Sequence, residues 1–250
     1  MEATHATTDD GDLPGTEHTA GAGAPAVVER WMFGRYDYPV SHRVLEVISF
    51  SVFVVLGAVT TWRVGGSLAT HAGWGSWWQI LLAVTVGLGA ADLMSGVVHF
   101  LFDQLGSPDT PVIGQKFVKP FRDHHDDPRA MTHGDFIAVN SDNLLICLPV
   151  LGATVAFGDV DAHPYIGVFV LSLVAAVAMT NQIHKWAHMP EVPHAVRFAQ
   201  RHGIILSVRH HSGHHRAPFE QHYCITFGRM DPLLDRVTMP FVRRRAARSH

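Results

Sequence analysis

Near the end of the chain, Arg209-His210-His211-Ser212-Gly213-His214-His215 contains an HxxHH box formed by His211, His214 and His215. Upstream stand the doublet His124-His125 and two i,i+4 pairs, His184 with His188 and His99 with Asp103. On a helix that spacing stacks one side chain over the other, so both donors can reach one ion. Histidines grouped in this way exceed the needs of a single metal. Thiolate-rich zinc ligation is disfavoured because the two cysteines, Cys147 and Cys224, are far apart. Nitrogen-rich, sulfur-poor donors for two ions suit iron, the metal used to activate dioxygen.

Further polar residues follow the same periodicity. Asp92, His99 and Asp103 fall on one face of a helix. An aspartate near mid-span costs on the order of 2.5–3.5 kcal/mol to insert, so Asp92 should face a partner inside the protein. It either supports a metal-binding histidine or makes a structural hydrogen bond. Asp103 is a ligand or holds His99. Asn181, His184 and His188 share another face, with Lys185 and Trp186 expected to turn toward the interface. Asn181 either binds an ion through water or orients His184. The adjacent rings of His124 and His125 point about 100° apart on a helix and can serve two ions. Lys116, Lys119 and Arg122 precede that doublet and suit a phosphate headgroup, or simply reflect charge bias. His133, His194 and His202 lack ligand spacing; His210 and His222 lack it too, but lie close enough to the box to support it.

These groups must be carried by membrane helices. The chain has 250 residues, 47% hydrophobic and 16% charged. Its apolar residues gather in four runs, from Val44 to Trp62, Trp77 to Phe102, Leu144 to Phe157 and Tyr165 to Thr180. Three approach the roughly 20 residues that cross a bilayer. The third is short and contains Pro149, so a buried core helix or a re-entrant segment is an alternative there. With four spans, residues 1–43, 104–142 and the tail from 182 share one side. They hold three, four and eleven of the Lys and Arg residues, leaving only Arg63 opposite. The positive-inside rule makes that side cytoplasmic, and it receives every histidine group. Trp62, Trp74, Trp77 and Trp78 cluster at the opposite interface, as belt residues do. The expected fold is therefore an all-α integral membrane protein of about four transmembrane helices with a cytoplasmic histidine-rich cap.

Residues 1–29 have no apolar period and no Lys or Arg before Arg30, which predicts a disordered tail whose His5 and His18 are solvated. A secretory signal is not expected there. Residues 30–240 form the expected membrane domain, and 241–250 a basic tail with Arg243-Arg244-Arg245 and Arg248.

Four strings resemble a known family. They are Ala-Asp-Leu-Met-Ser-Gly-Val-Val-His at 91–99, Lys-Pro-Phe-Arg-Asp-His-His-Asp-Asp-Pro at 119–128, Asn-Gln-Ile-His-Lys-Trp-Ala-His at 181–188, and His-His-Ser-Gly-His-His at 210–215 followed by Tyr223-Cys224-Ile225-Thr226. Together they resemble the lipid desaturase family of Kua, CarF and plasmanylethanolamine desaturase, over roughly Arg30 to Arg236. The resemblance implies a histidine-bound di-iron centre that introduces a vinyl ether double bond into an ether phospholipid, giving plasmalogen. Its implied ligands are His99, His124, His125, His184, His188, His211, His214 and His215. Gly134 and Phe219 stand where the ether-lipid enzymes carry histidines, with His133 and His222 displaced nearby. The segment from His214 to Phe219 and from His222 to Ile225 is closer to a plastid-type branch that desaturates an acyl chain of phosphatidylglycerol.

The expected reaction uses dioxygen to remove two hydrogens from neighbouring CH₂ groups near the glycerol end of a phospholipid chain. Apart from the metal donors, no protein acid or nucleophile is required. Electrons must come from outside, since the chain has neither a GxGxxG fingerprint nor haem or iron–sulfur cysteine spacing. A cytochrome b5-like protein, a ferredoxin or a flavoprotein is the implied donor, and no nucleic-acid partner is expected. A di-iron lipid hydroxylase is the enzymatic rival, and a membrane metal-binding or sensory scaffold the non-enzymatic one. The multi-pass protein would lie in the inner membrane of a bacterium or the endoplasmic reticulum of a eukaryote.

Overall fold

The computed structural model describes residues 27–30, 34–71, 76–111 and 113–247, with only the backbone described for 27–30, 34–38, His71 and Lys116. The expectations for His5, His18, Trp74 and Arg248 lie outside the described residues, as does all but the end of the tail assigned to 1–29. Two short strands, β1 (Val27–Arg30) and β2 (Gly34–Pro39), pair antiparallel where the sequence suggests no strand. β1 begins before the assigned end of the tail.

Four long helices follow: α1 (Val40–His71), α2 (Trp77–Gln104), α4 (Phe136–Phe157) and α5 (Pro164–His188). All four are long and apolar enough to cross a membrane. In hydrocarbon a spanning segment must satisfy its backbone internally, and helix does so; α4 runs on through Pro149 with the loss of that residue's N–H donor. The third is longer than the apolar run that marks it. Its first turns carry Asn140, Ser141, Asp142 and Asn143, which break the hydropathy but not the helix. Asn140 is fully buried; its amide donates to the Phe136 carbonyl at 2.8 Å and accepts from the Gln182 N–H at 3.0 Å. The start of α4 is thereby tied to α5.

α1 is amphipathic in the inverted sense that lipid demands. Arg43, Glu46, Ser49, Thr60 and Ser67 are buried, while Leu45, Ile48, Val55 and Trp62 are exposed. Arg43 pairs with Glu46 and with Asp135, just before α4, each at 2.7 Å. At the other end Arg63 pairs with Asp161 at 2.6 Å. Close packing rests on small residues, as is usual between membrane helices. A Cβ on Gly87 of α2 would sit 2.7 Å from the Phe169 carbonyl oxygen of α5.

Between α2 and α4 a five-residue π-helical turn (Gly114–Val118) leads into α3 (Lys119–Asp126), and a 3₁₀ turn (Ala130–His133) precedes α4. After α5 come α6 (His194–Arg201), α7 (Val208–His214) and α8 (Asp231–Ala246). The C-terminal ends of α2 and α5, the N-terminal end of α4, and α3 and α7 meet at one end of the bundle. Every histidine group lies there.

Candidate metal centre

The histidines enter the site on four separate pieces of chain. α2 ends in His99 and Asp103, α3 in His124 and His125, and α5 in His184 and His188; α7 and its C-cap supply His211, His214 and His215. The box is helical because Ser207 caps α7, its side chain accepting the His210 N–H at 3.1 Å. That turn stacks His211 beneath His215.

Two sets of donors result. The first joins His124, His184, His188, His211 and His215, and the second His99, Asp103, His125 and His214, with the donor atoms of each set within 4.8 Å of one another. The neighbouring residues His124 and His125 thus separate into different sets. In the first, the Nε2 atoms of His184 and His211 are 2.8 Å apart, His188 and His211 2.9 Å, His215 and His211 3.0 Å, and His124 and His184 3.1 Å. Adjacent nitrogens bound at ~2.1 Å to one ion are about 3 Å apart when they subtend a right angle. In the second set, Asp103 Oδ2 lies 3.1 Å from His125 Nε2, 3.2 Å from His214 Nε2 and 3.3 Å from His99 Nε2. Nε2 of His99 and of His214 nevertheless has no hydrogen-bond partner among the described residues, nor does Asp103 Oδ1. Only His125 Nε2 bonds the carboxylate, and buried polar atoms that converge and are left unpaired in this way fit a cation between them.

Electrostatics point the same way. Burial, with the neighbouring imidazoles, pushes His124 down to about 2 and His215 to about 3, and holds His211 well below its ordinary value. These rings are neutral at physiological pH, with lone pairs free for a metal.

The far side of two rings is fixed by the backbone. His99 Nδ1 lies 3.1 Å from the Tyr223 carbonyl oxygen and His214 Nδ1 2.9 Å from that of Gln221. Each ring nitrogen can donate there, leaving Nε2 as the inward donor. The segment that provides both carbonyls is anchored by Asp92. Its Oδ1 accepts from the N–H groups of Phe227 and Gly228 at 2.7 and 3.1 Å, and its Oδ2 from those of Arg229 and Met230 at 2.8 and 2.9 Å. The segment also crosses α2 closely: a Cβ on Gly96 would fall 2.5 Å from Cys224 Sγ. Asp92 therefore acts on the backbone that orients the ligands. Spacing along the sequence could not find its partners, because they are backbone amides more than a hundred residues away.

The remaining predicted residues are dispersed. Asn181 donates to the Val139 carbonyl at 3.0 Å and lines the cleft beside His184. His210 bonds Asp231 at 2.6 Å, which raises its pKa, and lies against His222 with the rings tilted and centroids 4.2 Å apart. Neither ring belongs to a donor set among the described residues. Lys185 does not turn to the interface: it is buried, and its ammonium donates to the Gly134 carbonyl at 2.5 Å. Trp186 packs on Ile183, Ala187 and Leu206. Lys119 pairs with Asp123, one turn away, and Arg122 donates to the Gly106 carbonyl at 2.9 Å. Arg122 also lines an opening with Asp103, His125 and Phe219, which keeps it beside the metal donors. Phe219, at φ +57°, lays its ring 4.3 Å from that of His125, centroid to centroid.

An apolar slot leads to the first set. Met94, Val98, Ile146 and Val177 line its inner part between α2, α4 and α5. Phe121, Asn181 and Ile225 line both that part and the outer part, which reaches His124 and His184.

The lipid desaturase domain profile matches residues 88–242. A plasmanylethanolamine desaturase of Myxococcus xanthus is 38% identical over 203 residues, covering 80% of this chain and 70% of that protein. Plasmanylethanolamine desaturase 1 of Mus musculus is 41% identical, over 60% of this chain and 58% of its own length. Fatty acid desaturase 4, chloroplastic, of Arabidopsis thaliana is 36% identical, over 62% and 47%. The chain thus spans less than two thirds of the mouse and plant proteins. No solved structure matches.

Proposed function

The chain belongs to the lipid desaturase family, and on that premise we propose that it is a membrane di-iron desaturase. It would use dioxygen to place a double bond near the glycerol end of a phospholipid chain, converting plasmanylethanolamine to plasmenylethanolamine. The observation that carries this reading is the opening of adjoining, largely apolar cavities onto one of two adjacent donor sets.

The donors fit iron. Eight imidazoles and one carboxylate form two nitrogen-rich sets with no thiolate. His124, His184, His188, His211 and His215 would hold one ion, and His99, Asp103, His125 and His214 the other. When bound, the ions supply the dioxygen activation and hydrogen removal that no side chain here can perform. The chain itself positions the substrate. The slot excludes water and holds the alkyl chain against His124 and His184. Phe121 borders it, with its ring centroid 5.3 Å from that of His99. The carbonyls of Tyr223 and Gln221 hold the protons of His99 and His214 at Nδ1. Arg122 is the cation we assign to the phosphate, with Lys119 as a weaker contributor and Lys116 retained from the sequence. Reducing equivalents come from a cytochrome b5-like protein, a ferredoxin or a flavoprotein. The positive-inside bias makes the metal end cytoplasmic.

Both relatives named as plasmanylethanolamine desaturases support the ether chain as substrate. A second reading, desaturation of an acyl chain of phosphatidylglycerol, draws on Phe219 and the displaced His222 and on the chloroplastic relative. The test is lipid analysis of a host with and without the gene. Acid releases a fatty aldehyde from a vinyl ether and none from an acyl alkene. A hydroxylated product in place of an alkene would overturn the desaturase reading.

A further inference from the structure

The slot contains one polar group that the protein does not use. Four polar side chains line its inner part: Ser95, Asn143, Thr180 and Asn181. Three are engaged within the fold. Ser95 Oγ donates to the Asp92 carbonyl at 2.7 Å and accepts the Ile225 N–H at 3.2 Å. Thr180 Oγ1 donates to the Ala176 carbonyl at 3.0 Å and meets Thr226 Oγ1 at 2.7 Å. Asn181 is held by Val139. The buried Asn143 Nδ2 has no partner among the described residues.

An unpaired amide is costly inside a membrane bundle, where water does not compete for it. A leucine would fill the same space at no such cost. Asn143 lies one helical turn beyond Val139, on the face of α4 that meets Asn181, and shares the slot with Met94, Val98 and Ile146. A ligand that fits is therefore apolar along most of its length and carries an oxygen acceptor at one point. A phospholipid chain has that form, because its only acceptors in this region are the oxygens joining the chains to glycerol.

We infer that Asn143 donates a hydrogen bond from Nδ2 to a glycerol-linkage oxygen of the bound phospholipid and so sets which carbons of the chain face the metal end. The inference rests on the lipid desaturase reading above and adds a substrate-positioning residue to it. Two oxygens satisfy the chemistry, the linkage oxygen of the reacting chain and the ester carbonyl of its neighbour.

The test uses the full chain, iron-loaded, in lipid nanodiscs under air with reduced ferredoxin as electron donor, and with apparent Kd and the position of any new double bond as its readouts. The probes are 1-O-hexadecyl-2-oleoyl-phosphoethanolamine, an analogue with CH₂ in place of the ether oxygen, and a diether lacking the ester carbonyl. One of the two analogues should bind the wild-type protein about tenfold more weakly than the parent lipid. In Asn143→Leu that difference should vanish and the double bond should spread over neighbouring carbons. Asn143→Gln, which keeps the donor, should restore part of the discrimination. Equal binding of all three lipids to the wild-type protein, as expected if the amide holds only a buried water, would overturn the inference while leaving desaturation intact. So would discrimination that persists in Asn143→Leu. A wild-type protein that binds the lipids unequally but forms no alkene would instead refute the proposed function.

Discussion

The two donor sets lie side by side but are built differently. The five-imidazole set joins three helices, α3, α5 and α7 with its cap, and its Nε2 atoms crowd one another at 2.8–3.2 Å. The other set is centred on a carboxylate, and backbone carbonyls fix two of its rings from behind. In one set only a bound ion would hold the neutral nitrogens together. The other has cohesion of its own, because Asp103 attracts the rings around it even when they act only as donors. The carboxylate set thus has more partners within the protein, while the imidazole set, facing the slot, is the one a bound ion would order more.

Removal of donors should give the largest effects. His184→Ala or His211→Ala should reduce product below detection and remove one of two irons per chain, measured by elemental analysis after anaerobic purification. Asp103→Ala should be equally inactive but lose the ion of the other set; unchanged iron content in either variant would contradict the division into two sets. Asp92→Ala comes next, because it leaves several backbone N–H groups without their acceptor. A loss of at least about 3 kcal/mol is expected, read as a lower unfolding temperature in detergent with weakened iron retention at the carboxylate set.

Acid should distinguish the sets from their neighbours. His124 and His211 have folded pKa values below the unfolded value of about 6.5. Their effect on stability is absent above that pH. Below it the unfolded chain binds protons that the folded chain refuses, so the metal-free protein should lose at most about 1.4 kcal/mol per pH unit for each ring. His210 has the opposite sign: its pairing with Asp231 is fully stabilising below the unfolded pKa and is lost as pH rises through its raised folded value. Denaturant midpoints of wild type and His210→Ala between pH 5 and 8 would reveal both trends. A wild-type midpoint that rises toward pH 5 would contradict the first.

The substrate-side substitutions should be weaker. Arg122→Ala should raise KM for the phospholipid about tenfold with little change in kcat, the pattern of a lost charge-assisted bond. Lys119→Ala should have the smallest effect, under about 1 kcal/mol in stability, since its partner Asp123 is exposed. A larger rise in KM for Lys119→Ala than for Arg122→Ala would reverse the assignment of the phosphate.

The donors were legible in the sequence because helical spacing and adjacency translate directly into side-chain direction. Asp103 was half legible: its spacing from His99 is the same whether it binds an ion or holds the ring. The third span was under-measured because Asn140 to Asn143 read as a loop edge, whereas two of them serve the interior. Lys185 misled for a related reason. A charge at a span end usually reaches for water, but here the Gly134 carbonyl receives it inside. Of the antiparallel strands before α1, β2 alternates Tyr36 and Tyr38 with Arg35 and Asp37, but over too few residues to stand out beside the long apolar runs.

The four amides that close on Asp92 also order events during synthesis. α2 enters the bilayer long before residues 227–230 leave the ribosome, so a nascent chain carries this aspartate in the membrane without its acceptors' natural complement of donors. Only when the C-terminal segment folds back is the group satisfied, and only then are the Tyr223 and Gln221 carbonyls in place behind the histidines. A truncated or stalled chain therefore exposes an unsatisfied acid within the membrane, a mark that distinguishes unfinished protein from protein ready to receive metal.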